Sequence, residues 1–272
     1  MKRWLSYPYL LWMILFISVP LLLIVFYAFT ERTASGIRIS LDSFKQIFDP
    51  LYLNVFLRSF KIAFLSMVIC LMIGYPVALI LASKEYSQKS IYLMLIVIPM
   101  WMNFLLRTYA WLTLLENNGI FNKVLGFFGV GPVQFLYSEG AVILGMVYNF
   151  LPFMILPIYS VIVKIDESIV EAAQDLGANS FLVLLKVIIP LSIPGVISGV
   201  TMVFMPAVST FVIPRLLGGG QFALIGNIIE QQFLLTGDWS FGSALSFVLM
   251  ILVIASMVLM NKHDSEGKEG IF

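Results

Sequence analysis

Six long apolar runs separated by short polar stretches set the pattern of this chain. A membrane-crossing helix needs about 20 mostly apolar residues. Residues 9–29, 61–82, 91–115, 140–163, 191–217 and 241–260 meet that length, and each predicts a span. The first run is longer than the apolar stretch of a secretory signal, and Phe26, Tyr27, Phe29 and Thr30 make a poor small-residue cleavage site, so it reads as a retained helix. Between the first two runs, residues 40–58 carry Leu41, Phe44, Ile47 and Phe48 at helical spacing, which predicts an amphipathic helix lying in the interface. Residues 117–138 and 218–240 hold glycines and aromatic rings and suit lids over an outer mouth. The charged tail after Asn261 predicts disorder.

Composition sharpens this picture. The chain has 272 residues, 60% of them hydrophobic and only 11% charged, whereas a soluble domain carries about 25% charged residues. Too few polar groups are available to cover a water-soluble globule. The expectation is one all-α integral membrane domain spanning residues 1–272. A net charge of +1 gives no bulk attraction for nucleic acid, and one cysteine and one histidine exclude a disulfide and a Cys- or His-based metal cluster. Lys and Arg near the span ends favour an N-terminus inside. The inner segments then hold Lys2, Arg3, Lys84, Lys89, Lys164, Lys186, Lys262 and Lys268. The outer ones hold Arg32, Arg38, Lys45, Arg58 and Lys123, with Arg215 near a boundary. Both termini are then cytoplasmic.

The spans carry features that a plain anchor lacks. Pro20, Pro76, Pro99, Pro152, Pro157, Pro194, Pro206 and Pro214 lie in or at the ends of spans. Each removes a backbone donor, and together they predict broken helices around a pathway. Asn103, Arg107, Asn149, Ser209 and Thr210 lie at membrane depth and should face the bundle interior. Arg107 is either a pathway or gate group, or an arginine that snorkels to the outer headgroups or pairs with Glu116. Gly195 and Gly199 are spaced for close helix packing.

The segment 164–190 is the most informative. Ser168 and Glu171 fit a capping box. Ile169, Ala172, Ala173 and Leu176 share one helical face, Gly177 is placed to end the helix, and Ser180 can cap a second helix toward Pro190. The residues alone leave open a protruding helix–turn–helix or a simple connector. Glu171-Ala172-Ala173, Gly177, Val187, Ile189 and Pro190, with Asp175 inside the run, match without gaps the "EAA" pattern of permease subunits of bacterial ABC importers. The chain therefore resembles that family. The resemblance implies a type I importer fold of six helices. Glu171, Ala172, Ala173, Asp175 and Gly177 would dock in one of two cytoplasmic ATPase subunits that bind ATP and Mg; this chain would bind no cofactor. It also implies a second homologous permease and an external binding protein, in a bacterial cytoplasmic membrane. Asp49-Pro50-Leu51-Tyr52, Gly74-Tyr75-Pro76, Arg107-Thr108-Tyr109, Leu151-Pro152-Phe153 and Leu224-Ile225-Gly226-Asn227 are most similar to the permeases of spermidine/putrescine importers, although permeases for other solutes share several of these blocks.

Other classes fit less well. Gly267-Lys268 is preceded by no phosphate loop, so the chain does not hydrolyse ATP itself. Glu116, Glu139, Glu230 and Asp238 fall outside mid-membrane, which argues against a stand-alone ion-coupled transporter. For a polyamine, cation–π contacts of roughly 0.5–2 kcal/mol each would guide a cation without trapping it. Trp101, Tyr109, Trp111, Tyr148 and Trp239 are the candidate rings, with Asn149, Glu230 and Asp238 as polar partners.

Overall fold

The computed structural model describes residues 7–33, 36–83 and 89–269. Lys2, Arg3 and Lys84, used in the charge count, lie outside the described residues. The first span is α1 (Pro8–Ala28), with Ala28 at its end as its one buried residue, and it packs against the last helix. A short antiparallel hairpin follows, β1 (Thr30–Thr33) with β2 (Gly36–Ile39), pairing Glu31 with Arg38. The all-helical expectation missed it, because four residues per strand are too few for a period-two pattern to stand out.

Two helices come next, α2 (Asp42–Ile47) and α3 (Pro50–Ala82). The interfacial helix expected over 40–58 is therefore divided. Asp49 caps α3 by accepting from the Leu51 N–H at 2.9 Å, and Pro50 sits at the first helical position, where its missing donor costs nothing. In α2, Ile47 is buried and the Phe44 ring packs on Phe29 and Phe247, while Leu41 and Phe48 stay exposed, so only part of this face points into the protein. The second span begins eleven residues earlier than expected for the same reason: α3 runs unbroken for 33 residues.

The third run is bent. Helix α4 (Lys89–Trp101) and helix α5 (Phe104–Leu115), the latter followed by α6 (Ile120–Phe127), meet at 95°. Pro99 ends α4, and Asn103 starts α5 by accepting from the Leu105 N–H at 2.8 Å. The fourth span is α7 (Glu139–Ile162), within one residue of the expected bounds. After α8 (Glu167–Asp175), the fifth span α9 (Ser180–Ser209) starts eleven residues before 191 and stops eight before 217. The rest of that run forms α10 (Val212–Leu217). Next come α11 (Ile225–Gln231) and α12 (Trp239–Glu269), and the latter carries helix through the tail expected to be disordered. Extending an existing helix adds one hydrogen bond per residue fixed, with no new nucleation cost. Among the described residues five helices are long and apolar enough to cross a membrane, and six if the bent pair is one span.

Helices α3, α7 and α9 pack on one another as the core. Ile62, Met146, Met154, Ile158 and Val203 are fully buried there. A Cβ at Gly195 would lie 3.0 Å from the Pro157 carbonyl oxygen, and one at Gly199 would lie 2.9 Å from the Met154 sulfur. This is the close approach the pair of glycines predicted. Several buried hydroxyls donate within their own helix. Thr108 donates to the Phe104 carbonyl and Ser59 to that of Val55, each one turn back. Tyr75 and Ser192 are an exception, joined at 2.8 Å between α3 and α9.

The prolines do two different things. Pro152 and Pro157 stay inside the continuous α7. Pro20 and Pro190 each lie two residues beyond a π-helical turn, Ile14–Ser18 and Leu184–Ile188, whose wider winding takes up the interrupted ladder. Only near Pro99 and between Pro206 and Pro214 does the chain actually break.

Candidate functional site

Helix reversal at each connection puts α8 at one end of the bundle. The hairpin, α2, α6 and residues 210–238 lie at the other. Helix α9 links the two ends over about 45 Å, at about 1.5 Å per residue for its 30 residues.

At the first end, α8 stands clear of the bundle with no buried residue. Asp166, not Ser168, is its N-cap: the carboxylate accepts from the Ser168 N–H at 3.1 Å. That backbone bond, with the Ser168 hydroxyl, holds the Asp166 carboxyl below the usual carboxylate range. The N-cap therefore lies two residues before the expected Ser168, and Glu171 is not three residues beyond it. Gly177 ends the helix at φ +85°. Its N–H donates to the Gln174 carbonyl at 2.8 Å, and the Ala178 N–H donates to that of Ala173 at 3.0 Å. This is the Schellman arrangement. Nothing lies within 4 Å of a Cβ at Gly177, so backbone conformation alone requires glycine there. Asn179, rather than Ser180, caps α9 by accepting from the Leu182 N–H at 2.8 Å. Glu171, Ala172, Asp175 and Gly177 are exposed and Ala173 is half-buried. The apolar face predicted for α8 is turned outward, with Leu176 91% exposed.

At the second end, α9 stops at Ser209 and the chain passes through extended Thr210 into α10. Helix α11 packs directly on this break. A Cβ at Gly226 would lie 2.6 Å from the Ser209 carbonyl oxygen and 2.8 Å from that of Thr210, so only glycine lets the two segments meet. Asn227 clips the break from α11: its Nδ2 donates to the Phe211 carbonyl at 2.7 Å and its Oδ1 accepts from the Leu224 N–H at 3.2 Å. Buried Ser59 on α3 accepts from the Ile225 N–H at 2.8 Å. Leu224 and Ile225 are fully buried. These contacts give the Leu224–Asn227 block a physical role. Ser59 was missed in the sequence, where a serine within an apolar helix carries no sign of its partner.

The break, α11 and α12 line an open cavity of about 630 Å³, mainly apolar, with Ser209, Phe211, Glu230 and Phe233 among its walls. A second cavity of about 330 Å³ lies beside it and includes Arg215 and Phe222. Glu230 and Leu234 line both. Arg215 Nη1 donates to Glu230 Oε1 at 2.6 Å; the Glu230 side chain is 16% exposed and that of Arg215 64%. The turn between α10 and α11 is possible because Gly219 and Gly220 take φ of +58° and +77°. The Tyr137 ring lies where a Gly219 side chain would be.

The other expected residues fall into separate places. Asp238 caps α12 through the Phe241 N–H at 3.0 Å and faces a different cavity, shared with Tyr27 and Glu31. Trp239 packs on Phe233 and Tyr27. Trp111 packs edge-on against Tyr148, with ring centres 5.3 Å apart. Trp101 and Tyr109 are exposed, and Asn103 serves as a cap. Arg107 is buried, and its Nε has no partner; the Oδ1 of buried Asn149 has none either, while its Nδ2 donates to the Gly145 carbonyl at 2.8 Å. No ion pair joins Arg107 to Glu116 among the described residues. Nor do these residues contain a cluster able to hold a metal.

Comparison with known proteins matches this arrangement. Residues 74–265 fit the family model "Binding-protein-dependent transport system inner membrane component". The spermidine/putrescine transport system permease protein PotB of Haemophilus influenzae is 40% identical over 259 residues, covering 92% of this chain and 91% of that one. Two solved structures share the fold at 17% and 16% identity. One is a bacterial ABC transporter that imports the acidic polysaccharide alginate, with a TM-score of 0.83 over 97% of this chain and 96% of that one. The other is a bacterial alginate ABC transporter in complex with alginate pentasaccharide-bound periplasmic protein, with a TM-score of 0.80 over 96% and 94%. A multi-pass helical bundle, an exposed EAA helix and a match running through most of the chain lead to one conclusion: this protein belongs to the binding-protein-dependent transport system inner membrane components, as an ABC importer permease subunit of the PotB type.

Proposed function

We propose that the chain forms one half of a polyamine pathway in the bacterial inner membrane and that α8 couples it to ATP hydrolysed elsewhere. The observation that carries the substrate is the similarity to spermidine/putrescine permeases across nine-tenths of the chain. The large cavity supports it. A carboxylate, two phenyl rings and a serine hydroxyl in an apolar wall suit a flexible chain of methylenes and ammonium groups. Glu230, Ser209 and Phe211 are the pathway residues in this reading. Asp238 and Trp239 line a separate outer recess.

The coupling end faces the cytoplasm, and both termini lie on that side. Glu171, Ala172, Ala173, Asp175 and Gly177 form the docking surface for an ATPase subunit. The exposed Leu176 and Ile169 supply its apolar anchors. ATP and Mg belong to two such ATPase subunits. A second permease completes the pathway, and an external polyamine-binding protein delivers the solute.

The test is competition uptake of labelled putrescine and spermidine in a deletion strain complemented by the complete transporter. Saturable uptake, suppressed by either unlabelled polyamine but not by neutral solutes, is expected. Uptake that depends on the chain but ignores polyamines would reassign the substrate. Transport by the purified chain alone, without ATPase subunits, would sink the importer reading.

A further inference from the structure

One carboxylate and one ring at the outer end already carry the chain's own cations. The Glu230 carboxylate, mostly buried and common to both cavities, holds Arg215 at 2.6 Å. The Phe222 ring of the smaller cavity has the Arg58 guanidinium 5.7 Å from its centre. Arg58 reaches the Phe222 ring from α3, beside Ser59, whose hydroxyl holds the start of α11, while Arg215 lines the smaller cavity itself from α10. We propose that Arg215 and Arg58 are internal stand-ins for the substrate's ammonium groups. A linear polycation entering the smaller cavity displaces Arg215 from Glu230 and Arg58 from Phe222, and the same side chains return behind it. The inference rests on the polyamine reading and assigns Arg215 as the residue that sets release.

The physical reason is a balance between capture and escape. A bare carboxylate in this sheltered position would hold a dication strongly and slow transport. A tethered guanidinium competes for it at an effective concentration of the order of millimolar. Charge is conserved in the exchange: one cation leaves Glu230 as another arrives, so no uncompensated carboxylate has to be exposed to the apolar wall. Arg215 is mostly exposed and can swing into solvent when displaced. The ion pair itself contributes little to folding, because the Arg215 side chain stays largely in solvent.

The measurement is equilibrium binding of labelled spermidine to the purified permease–ATPase complex without its binding protein, together with uptake in proteoliposomes at saturating loaded binding protein. Arg215→Gln is expected to bind spermidine about fivefold more tightly and to transport more slowly. Arg58→Gln shifts binding in the same direction by about twofold. Glu230→Gln weakens binding about fivefold, and adding Arg215→Gln to it changes nothing further, because the two residues act through one site. The charge swap Arg215→Glu with Glu230→Arg keeps the ion pair, and its melting temperature shows whether the fold is intact. It is expected to lose uptake, since the group common to both cavities is then a cation. Native-rate uptake by the folded swap, or spermidine binding no tighter in Arg215→Gln, overturns the exchange. A native complex that takes up no polyamine defeats the substrate reading instead.

Discussion

The two ends of α9 solve different problems with the same small residues. At α8, Gly177 is needed for a backbone angle, and the space around it is empty. At α11, Gly226 has an ordinary angle, but the carbonyls of Ser209 and Thr210 leave no room for a side chain. The first end is made by local rules: a cap, an amphipathic turn and a Schellman stop within about a dozen residues. The second end is made by the stretch 209–231 folded on itself through Phe211, Asn227 and Glu230 and tied to Ser59 of α3, far away in sequence. A surface that must dock a partner can be local, whereas a cavity needs walls from several elements.

One substitution at two sites breaks this comparison most directly. Gly226→Ala should destabilise the complex by about 3 kcal/mol, since neither carbonyl can move without opening the break. Gly177→Ala should cost only about 1 kcal/mol, the penalty for a left-handed residue. Thermal unfolding of the detergent-solubilised complex separates the two, and equal shifts would show that the α11 contact is softer than it looks. Asn227→Leu comes next, at about 2 kcal/mol, because it strands the Phe211 carbonyl and the Leu224 N–H. Its melting temperature should fall while ATPase docking at α8 survives.

Effects at the coupling end should be smaller in stability and larger in coupling. Glu171→Lys lies on an exposed face, so unfolding should move by less than about 0.5 kcal/mol. Stimulation of ATPase activity by loaded binding protein should drop about tenfold in the reconstituted complex, as expected for reversing a charge at an interface. Unchanged stimulation would remove α8 from the coupling role. The smallest effect concerns pH. The Asp166 carboxyl is held low by the Ser168 N–H and hydroxyl. Its contribution to α8 is therefore complete above about pH 4 and is lost as pH falls through the lowered folded value. Amide exchange at Ser168 should accelerate only in that acid window, and Asp166→Asn should abolish the dependence.

How much could be read in advance differs between the ends for the same reason. Gly177 was legible because a glycine closing an amphipathic run has a local meaning. The caps were displaced by one or two residues, to Asp166 and Asn179, because Asp, Asn and Ser compete for the same role at nearly equal free energy. The run 191–217 read as one span because hydropathy does not register a break that α11 stabilises from elsewhere. Arg107 offered two readings, a pathway group or a partner for Glu116. Its burial with an unpaired Nε followed from helix packing that no spacing rule encodes.

The sequence by itself determined a membrane bundle, the positions of its spans to within a few residues at 8–28, 139–162 and 239–259, and the exposed helix that carries the EAA pattern. Each rests on apolar length or on hydrogen bonds between near neighbours. Only the tertiary structure decided where the third and fifth runs break, which acids face a cavity and which merely cap a helix. Glu230 and Asp238 are both acids near the α11–α12 junction. One lies beside Arg215 between two cavities and the other ends a helix, because the fold brings α10 to the first and the start of α12 to the second.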